Sequence, residues 1–167
     1  GILPKNCIAY AGGSEGKRYV VLEFTETCAD IAYEKTEYKA FPLPRLLFGF
    51  FIENNRINSV RLGVIDRGRI TPETKMFTYP FSNVSECSLC TGSNRLPNIE
   101  SLHQLSGLPD FILSMPNNND RYDPNRTNLN MELRTLFEHL KDKDTAYYYS
   151  HVLIESKKTV ADFVRPN

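Results

Sequence analysis

The chain carries no excess charge of either sign, with 20 Lys and Arg against 20 Asp and Glu. A neutral sum projects no long-range field toward nucleic acid or an anionic membrane, so neither is expected as a partner, and recognition must rest on local shape and chemistry. No apolar run approaches the roughly 20 residues that a membrane-spanning helix needs. The opening Gly1-Ile2-Leu3-Pro4-Lys5 has no secretory pattern, which makes the cytosol the expected compartment. Internal repeats and linker-like stretches are lacking too. At 167 residues and 41% hydrophobic content, the chain is long enough to bury a core and too short for two full domains. One α+β domain over residues 1–167 is therefore expected.

Cysteine is sparse, at positions Cys7, Cys28, Cys87 and Cys90. Four cysteines permit pairing, but a disulfide framework belongs to an oxidising compartment and usually to a much smaller domain, so these read as thiols. The histidines His103, His139 and His151 are scattered. Cys87-Ser88-Leu89-Cys90 has the Cys-x-x-Cys form of a redox pair or of half a zinc site. No second such motif and no His pair at ligand spacing accompanies it, so a zinc site would have to recruit Cys7, Cys28 or a distant histidine.

What is present begins with strand patterns. Tyr19 to Phe24 is β-branched and aromatic after the flexible Gly12-Gly13-Ser14-Glu15-Gly16, with Cys7 to Tyr10 as its expected partner. Phe41-Pro42-Leu43-Pro44 interrupts any regular element, and Leu46 to Ile52 is apolar on both faces, as a central strand would be. Asn54-Asn55 supplies a hairpin turn into Val60, Leu62 and Val64, which alternate with Ser59, Arg61 and Gly63. A last short strand is expected over Lys75 to Tyr79, completing a meander of about four strands. Beyond it, Ile99, Leu102 and Leu105 suggest a short helix stopped by Gly107 and Pro109. Met115 to Asn125 reads as a polar loop. Leu133, Leu136, Phe137 and Leu140 fall at helical spacing behind Asn130 as the expected N-cap. Tyr147 to Ile154 suggests an extended segment and Thr159 to Val164 a closing helical turn.

Chemistry is expected between Ser82 and Asn98, where periodicity gives way to Ser, Asn, Cys, Gly and Pro. A thioester carrier needs an accessible thiolate on a loop, room for an incoming C-terminal glycine, and a donor aimed at the developing oxyanion. Tyr79 to Asn94 contains such parts, with Cys90 as the thiol and Asn83 as the polar side chain. Each has a plainer reading, Cys90 as a small core residue and Asn83 as a turn former. His103 is the histidine nearest Cys90 in sequence and would serve a Cys-His hydrolase. Glu100 and Asp110 lie downstream, where a carboxylate would deprotonate an acceptor lysine.

These residues resemble the ubiquitin-conjugating enzymes, in which a four-strand meander leads to a His-Pro-Asn-type motif and then an Ile-Cys or Val-Cys nucleophile. Asn83-Val84 stands where the Asn is expected, and Leu89-Cys90 follows, the Cys seven positions beyond Asn83. The sequence looks closer still to the bacterial branch called prokaryotic family D, which includes the PRTRC system protein B. Phe41-Pro42-Leu43-Pro44-Arg45-Leu46-Leu47-Phe48, Ile70-Thr71-Pro72-Glu73-Thr74, Asn83-Val84 and Cys90-Thr91-Gly92-Ser93 occur in its order. The likeness spans roughly Tyr19 to Val164. It departs at Phe81-Ser82, where the eukaryotic motif has His-Pro, and at Ser114-Met115-Pro116, where the bacterial family tends to have Phe-Thr-His. The resemblance implies a UBC-like fold, a β-meander followed by an active-site loop and C-terminal helices. It further implies that Cys90 receives a ubiquitin-like modifier from an activating enzyme and passes it to an amine. Asn83 would stabilise the oxyanion or organise the loop, and no cofactor or metal is implied. An operon encoding the modifier, its activating enzyme and a deconjugating metalloprotease is the family's setting. A non-catalytic adaptor of the same fold, binding modifier or activating enzyme, is the rival reading, and a Cys-x-x-Cys redox or zinc domain is a third.

Overall fold

Leu46–Glu53 is apolar on both faces because it runs through the middle of a sheet covered on both sides. The computed structural model describes residues 1–166. Its strands are β1 (Cys7–Gly12), β2 (Arg18–Phe24), β3 (Thr27–Tyr33), β4 (Thr36–Leu43), β5 (Leu46–Glu53) and β6 (Arg56–Ile65). After them come β7 (Lys75–Phe77), β8 (Val84–Ser85), β9 (Ser88–Leu89), α1 (Leu108–Ser114) and α2 (Leu133–Leu140). β10 (Glu155–Thr159) and α3 (Val160–Val164) close the chain. The main sheet is antiparallel throughout, in the order β1-β2-β5-β6-β7-β10, and β9 joins β6 beside Arg61 with β8 outermost. No helix among the described residues is long and apolar enough to cross a membrane.

The meander is not continuous. Between β2 and β5 the chain turns aside through β3 and β4, which pair with each other as a separate two-stranded sheet, β3 also bridging to Asn117. Phe41-Pro42-Leu43, expected to interrupt regular structure, forms the end of β4. Pro42 is tolerated there because a strand paired on one side only has no second ladder to supply. Its carbonyl is used instead, accepting a hydrogen bond from the Tyr148 hydroxyl at 2.7 Å.

Alternation along the strands sends side chains into two cores. Val20, Leu22, Phe48, Phe50, Leu62 and Val64 join the larger one with α1 and α2. Tyr19, Val21, Leu47, Ile65 and Met76 join a smaller one under Val160 and Phe163 of α3. α3 approaches closely because position 63 is glycine: a Cβ there would stand 2.5 Å from the Met76 methyl and 3.4 Å from Phe163. In the larger core Phe137 stacks on Phe81 at 4.7 Å and on Tyr38 at 5.4 Å, and meets Phe41 edge-on at 5.4 Å.

Several helix boundaries differ from the sequence pattern. Gly107 and Pro109 do not stop a helix. A 3₁₀ turn over Leu102–Gly107 runs directly into α1, and Pro109 sits in its first turn, where a missing N–H costs no bond. Asn130 is not the cap of α2; the capping position is Glu132, with no side-chain bond, and Asn130 takes a left-handed conformation. Tyr148–Val152 is a π-helical turn rather than an extended segment. The winding carries Tyr148 to Pro42 and lets the Tyr149 hydroxyl donate to the Ile65 carbonyl at 2.9 Å. The closing helical turn is α3, entered through a capping box between Thr159 and Asp162.

Because Phe137 is enclosed by four aromatic rings, Phe137→Ala is expected to cost about 3 to 5 kcal/mol. Urea unfolding should show a lower midpoint at an unchanged slope.

Candidate functional site

The stretch from Ser82 to Asn98 lies mostly at the surface, as its composition suggests, but the chain dips into the core where that stretch begins. Phe81 is fully buried on Phe137, and Ser82 is buried beside it. Burying Ser82 is possible because Asn117, only 4% exposed, bonds it. The Asn117 Oδ1 accepts from the Ser82 hydroxyl at 2.8 Å and from the Ser82 backbone N–H at 3.2 Å. The Asn117 Nδ2 donates to the Ala32 carbonyl at 3.0 Å, and its backbone bonds Ala32 and Glu34. Three distant segments are thereby joined: the β3–β4 hairpin, the lead into Asn83, and the polar loop after α1.

Asn83 then turns the chain outward in a left-handed conformation (φ 68°), which Asn adopts more easily than most residues. β8 and β9 form a two-residue hairpin whose central residues, Glu86 and Cys87, both have positive φ, the geometry that matches the right-handed twist of the flanking strands. The hairpin brings Cys90 back to where it started: its N–H donates to the Asn83 carbonyl at 2.7 Å. A seven-position separation has become a direct backbone contact. Asn83 is fixed in turn by its Nδ2, which donates to the Pro116 carbonyl at 3.1 Å.

Asn83 and the exposed Cys90 line one cavity of about 300 Å³. Thr91, Gly92 and Asn94 complete that wall, and Met115, Pro116, Asn118, Asp120 and Arg121 form the other. The stretch Ser114-Met115-Pro116, where the resemblance breaks, thus leads into the wall facing the thiol. Asp120 and Arg121 were not legible as site residues in the sequence. Their only signal is that they lie in the one long polar loop after α1, where an Asn118 side chain accepts the Asp120 N–H at 2.8 Å. The carboxylates singled out by sequence, Glu100 and Asp110, do not line this cavity, nor does His103. His139 pairs with the Tyr147 hydroxyl at 2.8 Å, and His151 with Ser150 at 2.7 Å. None of the three histidines is placed to act as a base for Cys90.

Cys87 faces elsewhere. It sits in the turn of the hairpin and lines a separate groove of about 1000 Å³ beside the smaller core, with Arg61, Lys158 and Phe163. Burial pushes its thiol above the ordinary range, against the weaker opposing pull of Lys158 and Arg61. The larger concavity is therefore not the one that holds Asn83 and Cys90. Among the described residues no three His, Cys, Asp or Glu side chains gather at metal-holding distance.

The family model described as prokaryotic E2 family D matches residues 3–156. No curated protein and no solved structure matches the chain.

Asn117→Ala strips the buried Ser82 N–H and hydroxyl of their shared acceptor, while the Ala32 carbonyl keeps its bond from the residue 117 N–H, and is expected to cost about 3 kcal/mol, against about 1 for Ser82→Ala, in chemical denaturation. At mildly alkaline pH, iodoacetamide should label the exposed Cys90 and Cys28 before Cys87 and Cys7, whose thiols burial pushes up. Raising the pH should narrow that gap, since the buried thiols ionise last. Peptide mass spectrometry reads the order.

Proposed function

Because the chain belongs to prokaryotic E2 family D, we propose that it accepts a ubiquitin-like modifier from an activating enzyme as a thioester on Cys90 and transfers it to an amine. What carries the reading is the exposed Cys90 thiol held one backbone bond from Asn83 at a cavity. A buried structural cysteine would be neither exposed nor aimed into a space. On this reading the antiparallel sheet, the loop through Asn83 and Cys90, and the helices after it are taken as a UBC-like layout in one domain over residues 1–167, working in the cytoplasm.

The Cys90 thiolate attacks the carbonyl of the modifier's thioester on the activating enzyme. The tetrahedral intermediate collapses by expelling that enzyme's thiolate, which leaves the modifier on Cys90. An acceptor amine then attacks the new thioester, an amide bond forms, the Cys90 thiolate leaves, and the amine's proton departs to a base. Asp120, on the facing wall, is the carboxylate available for it. The Asn83 amide has two N–H groups. One holds Pro116, which fixes the side chain's direction, and the other is available to the oxyanion. No metal or cofactor enters either step, and the partners are the modifier, its activating enzyme and an acceptor.

Incubation with a cognate activating enzyme, modifier and ATP should give an adduct on a non-reducing gel that thiol reductant removes. It should form on Cys87→Ala and be lost completely in Cys90→Ala. Absence of any adduct while the activating enzyme is itself charged would instead support a non-catalytic adaptor that binds these partners.

A further inference from the structure

Arg126 closes the 3₁₀ turn Pro124–Arg126, which starts where the Asp123 carboxylate accepts the Asn125 N–H at 2.8 Å. Its half-buried guanidinium makes all of its hydrogen bonds to backbone carbonyls. The Nε donates to Tyr79 at 3.1 Å, one terminal nitrogen to Val84 at 2.6 Å, and the other to Arg121 at 2.9 Å. Tyr79 and Val84 bracket the segment that contains Ser82 and Asn83, whose carbonyl receives the Cys90 N–H. Arg121 belongs to the wall across the cavity, next to Asp120. One planar group therefore spans both walls of the space that Cys90 faces.

We propose that Arg126 is a positioning residue, setting the distance between the wall that holds Asn83 and Cys90 and the wall that holds Asp120 and Arg121. The proposal deepens the thioester reading and, for its transfer step, rests on it. Only a rigid fork meets three carbonyls in three directions; a lysine ammonium presents a point charge that reaches one or two of them. Arg126→Lys therefore keeps the charge and the packing of the stem while releasing one wall from the other. Misplacement of reacting groups by about an ångström is enough to cost on the order of 100-fold in rate.

The test compares wild type, Arg126→Lys, and Val21→Ala, a variant in the separate smaller core that lowers stability without touching the cavity or the Asn83 segment. The first readout needs no partner protein: the iodoacetamide rate of Cys90 divided by that of the exposed Cys28, which lies in β3 and serves as internal reference. Arg126→Lys is expected to move this ratio by about threefold or more and Val21→Ala to leave it unchanged. The second readout is single-turnover discharge of the Cys90 adduct to free lysine. Arg126→Lys should lower the maximal rate by about tenfold or more, with the lysine concentration for half-maximal rate little changed. A ratio and a discharge rate equal to wild type would overturn the proposal, as would shifts that merely match those of Val21→Ala. If wild type forms no adduct, the thioester reading fails, and the alkylation ratio alone still decides whether Arg126 sets the surroundings of Cys90.

Discussion

Asn117 is buried, where each unpaired polar group costs about 1 to 3 kcal/mol, and all four of its hydrogen-bonding groups are occupied. That requirement explains much of the arrangement around it. Ser82 can lie buried between Phe81 and the outward turn at Asn83 because the carboxamide accepts from it. The β3–β4 hairpin, which interrupts the meander, supplies the Ala32 carbonyl that the same carboxamide needs, and it delivers Tyr33 and Tyr38 to Phe137. The loop after α1 is drawn against the Asn83 segment because it carries Asn117 itself. Hydrophobic packing on Phe137 and the polar knot at Asn117 thus act on the same three segments, one through buried area and the other through direction.

The thiol's position follows from a turn held against its own strain. Left-handed backbone at a residue other than glycine costs roughly 1 to 2 kcal/mol, and Glu86 and Cys87 both adopt it. The hairpin tolerates this because its backbone is bonded on both flanks. Leu62 donates to the Cys87 carbonyl at 2.9 Å, Cys90 donates to Asn83, and Arg126 donates to Val84. A short strand pair with so many outside anchors has little freedom to move, so the thiol stays in one place relative to the facing wall. The same hairpin separates the two cysteines of the Cys-x-x-Cys pattern, sending Cys87 to the groove beside Arg61 and leaving Cys90 at the smaller cavity.

The interactions elsewhere are mostly pins that keep this frame closed. Arg61 donates to the Tyr19 hydroxyl and to the carbonyls of Phe163 and Arg165, which fastens the end of α3 over the smaller core. Arg45 pairs with Glu23 at 2.6 Å and reaches the carbonyls of Asp66 and Gly68, tying β2 to the turn after β6. Such partly buried, directional contacts are worth more than the exposed ion pairs at Lys17 or Lys75, which solvent screens.

The sequence by itself determined β1, β2, β5, β6 and the helix around Leu136, and it singled out Asn83 and Cys90 as candidates. Period-2 and helical spacing, turn residues and a short ordered motif are local signals that survive in one dimension. It did not reveal β3, β4 or β10, whose residues alternate poorly and become strands through their partners. Phe41-Pro42-Leu43 looked like a break for the same reason, since only the edge position of β4 makes Pro42 acceptable. The opposite wall of the site was equally hidden. Asp120, Arg121 and Arg126 lie some 30 to 36 positions beyond Cys90, and no local pattern marks them. Only the folded chain decided that Asp120 and Arg121 face Cys90 across one cavity with Arg126 bonded to the segments on either side, because the bonds that hold them there run from a buried amide and a guanidinium to carbonyls that every residue carries and no sequence displays.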